Sequence, residues 1–178
     1  MTATTLELSQ NKGNTATTAS GDSSQDTISQ VVSFRLANEE YGLNIMRVRE
    51  IILMGEITKI PEAPSYIEGL INLRGKVIPI LDLRKRFGLE ATPPCDQTRI
   101  VVVNTGEGVT FGIVVDAVTE VMRVDPAQVE PPPTGLSGLD RSYIHGLFKQ
   151  QERIMILLNM ENVLSQDDKS LLEKSTTN

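Results

Sequence analysis

From Ile28 onward the chain alternates short apolar runs with brief polar breaks. Val31 to Leu36, Tyr41 to Ile45, Val48 to Ile52, Ile67 to Asn72 and Val77 to Leu81 each have the length of a strand. Between them stand Asn38-Glu39-Glu40, Pro61-Glu62-Ala63-Pro64 and Arg74-Gly75, all turn or loop formers. Connections this short predict a small barrel or sandwich, because a parallel sheet needs longer crossover helices. Pro79 falls inside a strand-like run, so that strand is expected to be an edge or to be bulged. Residues 1–27 are rich in Thr, Ser, Asn, Gln and Gly. Ordering them would cost about 1 to 2 kcal/mol per residue with almost nothing to bury, which predicts a disordered tail.

The pattern then repeats. Tyr41-Gly42-Leu43-Asn44-Ile45 returns seventy positions later as Phe111-Gly112-Ile113-Val114-Val115, and Val48, Glu50 and Ile51 return as Val118, Glu120 and Val121. A seven-residue insertion around Thr134 to Asp140 lengthens the offset to seventy-seven. Tyr66-Ile67-Glu68-Gly69-Leu70 then matches Tyr143-Ile144-His145-Gly146-Leu147, and Lys76 to Leu83 matches Arg153 to Met160. Two copies of one module are expected at 28–92 and 93–164, sharing a packed interface because units of about 65 to 70 residues are marginal alone. Each copy closes on an N-cap, Asp82 or Asn159, which predicts one helical turn after it. Gly88 to Thr98 reads as the connector. Residues 165–178 read as a C-terminal helix and tail, opened by a capping box at Ser165 to Asp168 and given an apolar face by Leu171-Leu172.

Net charge is −6, from 17 basic and 23 acidic residues, and the chain has no Trp. Such a surface neither neutralises phosphates nor stacks bases, so nucleic acid is not expected as a partner. The one cysteine, Cys95, has no partner for an internal disulfide. No run of about 20 apolar residues spans a membrane, and no basic segment followed by an apolar run opens the chain. The reading is a soluble cytoplasmic protein with no direct membrane insertion.

Catalytic chemistry is not evident. Asn104-Thr105-Gly106-Glu107-Gly108 lies between two strand runs and reads as a hairpin turn, not a phosphate loop. His145 and Cys95 are too few for a His/Cys metal site. His145 stands where the first copy has Glu68, which fits a solvated polar position. Cys95 reads as a loop thiol without basic neighbours to lower its pKa, and Arg84-Lys85-Arg86 as a solvated face. No nucleophile, base and orienting group can be named together, so no enzyme and no cofactor are expected.

The copies differ most at Asn72-Leu73-Arg74-Gly75, where the second copy has Lys149-Gln150-Gln151-Glu152. Gly75 takes positive φ freely, so Arg74-Gly75 suits a tight turn that presents Arg74 outward. Those four residues are either one good turn or a functional feature; local chemistry alone leaves both open.

These residues also carry a family resemblance. Glu40-Tyr41-Gly42-Leu43, Val48-Arg49-Glu50-Ile51, Gly69-Leu70-Ile71-Asn72-Leu73-Arg74-Gly75, Val77-Ile78-Pro79-Ile80-Leu81-Asp82 and Phe111-Gly112-Ile113 resemble the CheW chemotaxis coupling family, in order from about Val31 to Leu164. The resemblance implies a mainly β fold of two five-stranded SH3-like barrels on a shared hydrophobic core, with a short C-terminal helix. It implies a non-catalytic adaptor joining methyl-accepting chemoreceptor tips to the regulatory domain of a CheA-type histidine kinase, recruited to membrane-associated arrays. Val48, Glu50, Gly69, Asn72, Arg74 and Gly75 of the first copy, with Gly112, Val121 and Gly146 of the second, match the family's receptor and kinase interface, and Glu50 and Arg74 would form an ion pair. The alternative is a ligand- or oligonucleotide-binding double barrel without kinase coupling.

Overall fold

The computed structural model describes residues 28–134 and 141–170. The polar segment 1–27, Gly135 to Asp140 of the insertion, and Leu171-Leu172 lie outside the described residues. The first half forms β1 (Gln30–Leu36), β2 (Glu39–Asn44), β3 (Val48–Leu53), β4 (Ile67–Leu73), β5 (Lys76–Asp82) and the helical turn α1 (Leu83–Arg86). The second half forms β6 (Arg99–Asn104), β7 (Thr110–Val115), β8 (Ala117–Arg123), the short β9 (Val129–Glu130), β10 (Ile144–Gln150) and β11 (Arg153–Leu158).

The strands do not sort by halves. One sheet has the order β3-β6-β7-β5-β4 and the other β8-β1-β2-β11-β10-β9. Each half therefore lends its first two strands to the sheet completed by the other. The boundary between residues 92 and 93 separates the repeats but not the sheets, and one sheet has six strands where five were expected. The reason is physical: β2 and β7 carry the same alternation and turn the same residues to the shared core, so the pattern does not say which copy each joins. Each sheet contains one parallel pair, β2 with β11 and β5 with β7, although short connections argue against parallel pairing.

Alternation along the strands serves three apolar clusters. In β6, Ile100 and Val102 turn inward with Ile78 and Ile80, while Val101 and Val103 turn to a core shared with Phe34, Leu36, Tyr41 and Leu43 of the other sheet. In the six-stranded sheet, Met155 and Leu157 pack inward with Val31 and Phe148, while Leu158 faces the shared core. Both faces of each sheet are thus covered, the shared hydrophobic core being the layer between them. The five-stranded sheet curls until its ends meet: just beyond β3, Thr58 pairs with Leu70 of β4 through N–H···O bonds of 2.9 and 2.7 Å. β9 does the same against β10.

Pro79 is not on an edge, because β5 lies between β7 and β4. Pairing with β7 begins at Ile80, so no donor is asked of Pro79 on that side, and the irregularity sits in β4 between Ile67 and Gly69. The caps form where expected. Asp82 Oδ1 accepts from the Arg84 N–H at 2.9 Å, Asn159 Oδ1 from the Glu161 N–H at 3.0 Å. Ser165 and Asp168 exchange two bonds of 3.1 Å at the start of a helix that begins at Gln166.

The Arg84-Lys85-Arg86 run is not a solvated face. α1 packs on β5 and β7 with Leu83 in the shared core, and two of its cations meet fixed partners: Arg84 Nε donates to Asp116 at 2.8 Å and Lys85 Nζ to Glu68 at 2.6 Å. Arg86 lies between the rings of Tyr66 and Tyr143, its guanidinium carbon 4.7 and 4.9 Å from their centroids. These tyrosines are equivalent residues of the two copies, so Arg86 bridges the repeats.

Candidate functional site

Residues 72–75 form the hairpin turn between β4 and β5. Arg74 has φ +52° and Gly75 φ +86°, the left-handed pair that a two-residue hairpin turn needs. The Asn72 side chain locks the turn by accepting from the Gly75 N–H at 2.9 Å. A Cβ on Gly75 would meet nothing within 4 Å, so the glycine contributes backbone freedom alone.

That turn delivers Arg74 to Glu50. β3 and β4 are the two end strands of the five-stranded sheet, and its curling brings them together. Arg74 Nη1 and Nη2 then donate to Glu50 Oε1 and Oε2 at 2.7 and 2.8 Å, a bidentate pair. A register slip between Val48 and Glu50 re-aims β3 at this point. The Arg74 side chain keeps 76% of its surface exposed and Glu50 25%, so the pair stands at the surface. It adds little to folding, because water and salt screen exposed charges. Ile51 and Leu53 on β3 and Val77 on β5 are also exposed, Ile51 and Leu53 on the face of β3 opposite Glu50.

The second copy repeats the apolar part of this surface without the charge pair. Exposed Val121 on β8 and Ile154 on β11 correspond to Ile51 and Val77. Gln151, the counterpart of Arg74, is uncharged, although it too has positive φ at +56°.

The remaining residues of the expected interface fall inside. Gly69, Gly112 and Gly146 are buried, and Val48 is half-buried against the shared core. A Cβ on Gly112 would lie 2.6 Å from Ile80 Cδ1, and one on Gly146 would lie 2.5 Å from Val129 Cγ1. These three glycines let neighbouring backbone and side chains approach closely. Val121, Glu50, Asn72, Arg74 and Gly75 reach the surface or brace what does.

Sequence reasoning missed the ionic contacts at the two corners where the chain crosses between sheets. Asp116, between β7 and β8, accepts from Arg84 and from the Ala37 N–H at 2.8 Å. Glu161, after β11, accepts from the Gly106 N–H at 2.6 Å and lies 3.5 Å from Arg47. The signal that could have found them is the correspondence of Arg84 with Glu161 at the offset of seventy-seven.

Burial alone would raise the Asp116 carboxyl, but hydrogen bonds from Arg84 and Ala37, with the charges of Arg84 and Arg35, outweigh it and hold the carboxyl below its ordinary value. A carboxylate depressed in the folded state contributes stability above its unfolded pKa, about 4, and loses that contribution as pH falls through the folded value. Asp116→Asn is therefore expected to melt earlier than the parent at pH 7. The gap should shrink on acidification below about pH 4; thermal melts across that range check it, and a gap independent of pH would exclude the ionic role.

Cys95 is an exposed loop thiol, as expected, but hydrogen bonds from Gln97 and Thr98 draw its pKa down without any basic neighbour. Among the described residues no group of three or more His, Cys, Asp or Glu is placed to hold a metal ion. No helix among them is long and apolar enough to cross a membrane.

Residues 30–168 match the CheW-like domain family. The chain is 38% identical to the chemotaxis protein CheW of Klebsiella aerogenes, over 79% of this chain and 84% of that one. It is 32% identical to the chemotaxis protein CheW of Helicobacter pylori, over 85% and 91%. The crystal structure of the scaffolding protein TtCheW from Thermoanaerobacter tengcongensis superposes with a TM-score of 0.75 at 38% identity, covering 85% of this chain and 97% of that one. Fold, repeat and relatives agree: the chain belongs to the CheW family of non-catalytic chemotaxis coupling proteins.

Proposed function

We propose that this protein joins the regulatory domain of a CheA-type histidine kinase to the cytoplasmic tips of methyl-accepting chemoreceptors, and is recruited to membrane-associated arrays through them. The observation that carries this reading is the outward Arg74–Glu50 pair. A bidentate pair held by a locked turn at the surface has no internal packing purpose, and β3 and β5 also expose Ile51, Leu53 and Val77. Apolar side chains supply contact area and the paired charges fix orientation. Weak, reversible contacts gain strength when many act together, as in an array. The ligand- or oligonucleotide-binding alternative draws no support from the relatives, and the net charge of −6 opposes it.

Arg74→Ala is expected to leave the thermal midpoint nearly unchanged while abolishing receptor-dependent control of the kinase. Melting curves and a reconstituted receptor–kinase phosphorylation assay decide it. A large loss of stability with intact coupling would remove Arg74 from the docking surface. Titration of the parent protein against the cognate kinase regulatory domain should saturate; a folded protein that fails to bind would refute the kinase partner.

A further inference from the structure

The two corner contacts divide their charges by half of the chain. The first half carries both cations, Arg47 at the β2–β3 corner and Arg84 in α1; the second carries both anions, Asp116 at the β7–β8 corner and Glu161 after β11. Each latch therefore joins one half to the other, and each anion also takes a backbone N–H from a hairpin turn, Ala37 or Gly106. In a chain whose halves closed on themselves, β2 would replace β7 beside β5, and β7 would replace β2 beside β11. Arg84 would then face the corner where Met46 holds the place of Asp116 with Arg47 next to it, and Glu161 the corner where Ala117 holds the place of Arg47 with Asp116 next to it. Both encounters bring like charges to adjoining positions.

We infer that this partition of charge selects the exchanged topology over self-closure of each half. The apolar pattern does not make that choice at β2 and β7, the strands that would trade places, because both turn equivalent residues to the shared core, Tyr41 and Leu43 in one and Phe111 and Ile113 in the other. Charges at the crossing corners distinguish them, and they do so by penalising the wrong partner as well as rewarding the right one.

The test refolds the full chain from denaturant and reads the yield of native monomer by size-exclusion chromatography and tyrosine near-ultraviolet circular dichroism. With R84D and D116R together, the native latch keeps its attraction in reversed polarity. Self-closure becomes attractive too, since an acid at position 84 would meet Arg47 and a base at position 116 would meet Glu161. Native yield is expected to fall by about twofold or more as the discrimination is lost. Adding R47E and E161R restores one sign to each half and should return the yield toward that of the parent. Contact counting predicts the opposite, because D116R and E161R each remove an acceptor for a backbone N–H and four substitutions should do worse than two. Parental yield for the two-substitution protein, or a four-substitution protein no better than it, would overturn the inference.

Discussion

Gly69→Ala should lower the thermal midpoint by about 10 °C, whereas Gly75→Ala, only six positions away, should cost far less. Both glycines have left-handed φ, +146° at Gly69 and +86° at Gly75, so both substitutions strain the backbone. They differ in what a Cβ would meet. At Gly75 it meets nothing within 4 Å, which leaves a cost of about 1 kcal/mol. At Gly69 it would lie 2.1 Å from the Thr58 carbonyl oxygen and 2.9 Å from Ile57 Cγ2. Backbone oxygen cannot rotate away, and Thr58 is held there by the paired bonds to Leu70 that bring the ends of the five-stranded sheet together. Relieving the overlap means opening that closure, at about 3 kcal/mol or more in total. Thermal melts of the two variants side by side give the comparison; equal, mild effects would show that the closure yields easily. An opened closure would also separate β3 from β4, so Gly69→Ala should weaken kinase coupling through the Glu50–Arg74 pair without touching either residue.

That indirect route shows which parts of the molecule are legible in the sequence. Strand positions are legible because alternation is local, and the caps at Asp82, Asn159 and Ser165 because capping chemistry spans only a few residues. The hairpin at Arg74-Gly75 is legible for the same reason. Partner choice between strands is not, since the duplication that reveals the repeat also makes its copies interchangeable in pattern. The resemblance names the Glu50–Arg74 pair, and the strand order explains it: residues 24 positions apart meet because the sheet's two end strands come together. Gly69, Gly112 and Gly146 look like interface positions because they belong to the family's motifs. Packing shows in addition that a Cβ at each would overlap a neighbour. The basic run of α1 looks solvated because a sequence shows charge but not the acids and rings brought to it from other elements.

Arg86 is the sharpest case, and Arg86→Met is expected to destabilise the protein by about 2 to 3 kcal/mol. Its guanidinium lies against both Tyr66 and Tyr143, and its Nε donates to the Val163 carbonyl at 2.8 Å. One side chain thus ties together equivalent tyrosines of the two copies and the chain segment that follows β11. Methionine keeps most of the stem and its packing, so the loss reports the planar cation and its hydrogen bond and not a cavity. Lysine should recover little, because an ammonium cannot lie flat between two rings while donating sideways. The effect should also spread in a defined direction. The Tyr66 hydroxyl donates to Asp168, whose other oxygen accepts from the Ser165 N–H in the capping box. Loosening Tyr66 should therefore speed amide hydrogen exchange at the start of the C-terminal helix, around Asp168 and Lys169, before it speeds exchange in β6 or β7. Denaturant unfolding of Arg86→Met and Arg86→Lys, with hydrogen exchange resolved by residue, tests both halves of the expectation. If lysine restores full stability, the site needs only a positive charge and the stacking geometry is incidental. If exchange rises evenly through the sheets, Arg86 contributes to global stability but does not couple the two tyrosines to the C-terminal helix.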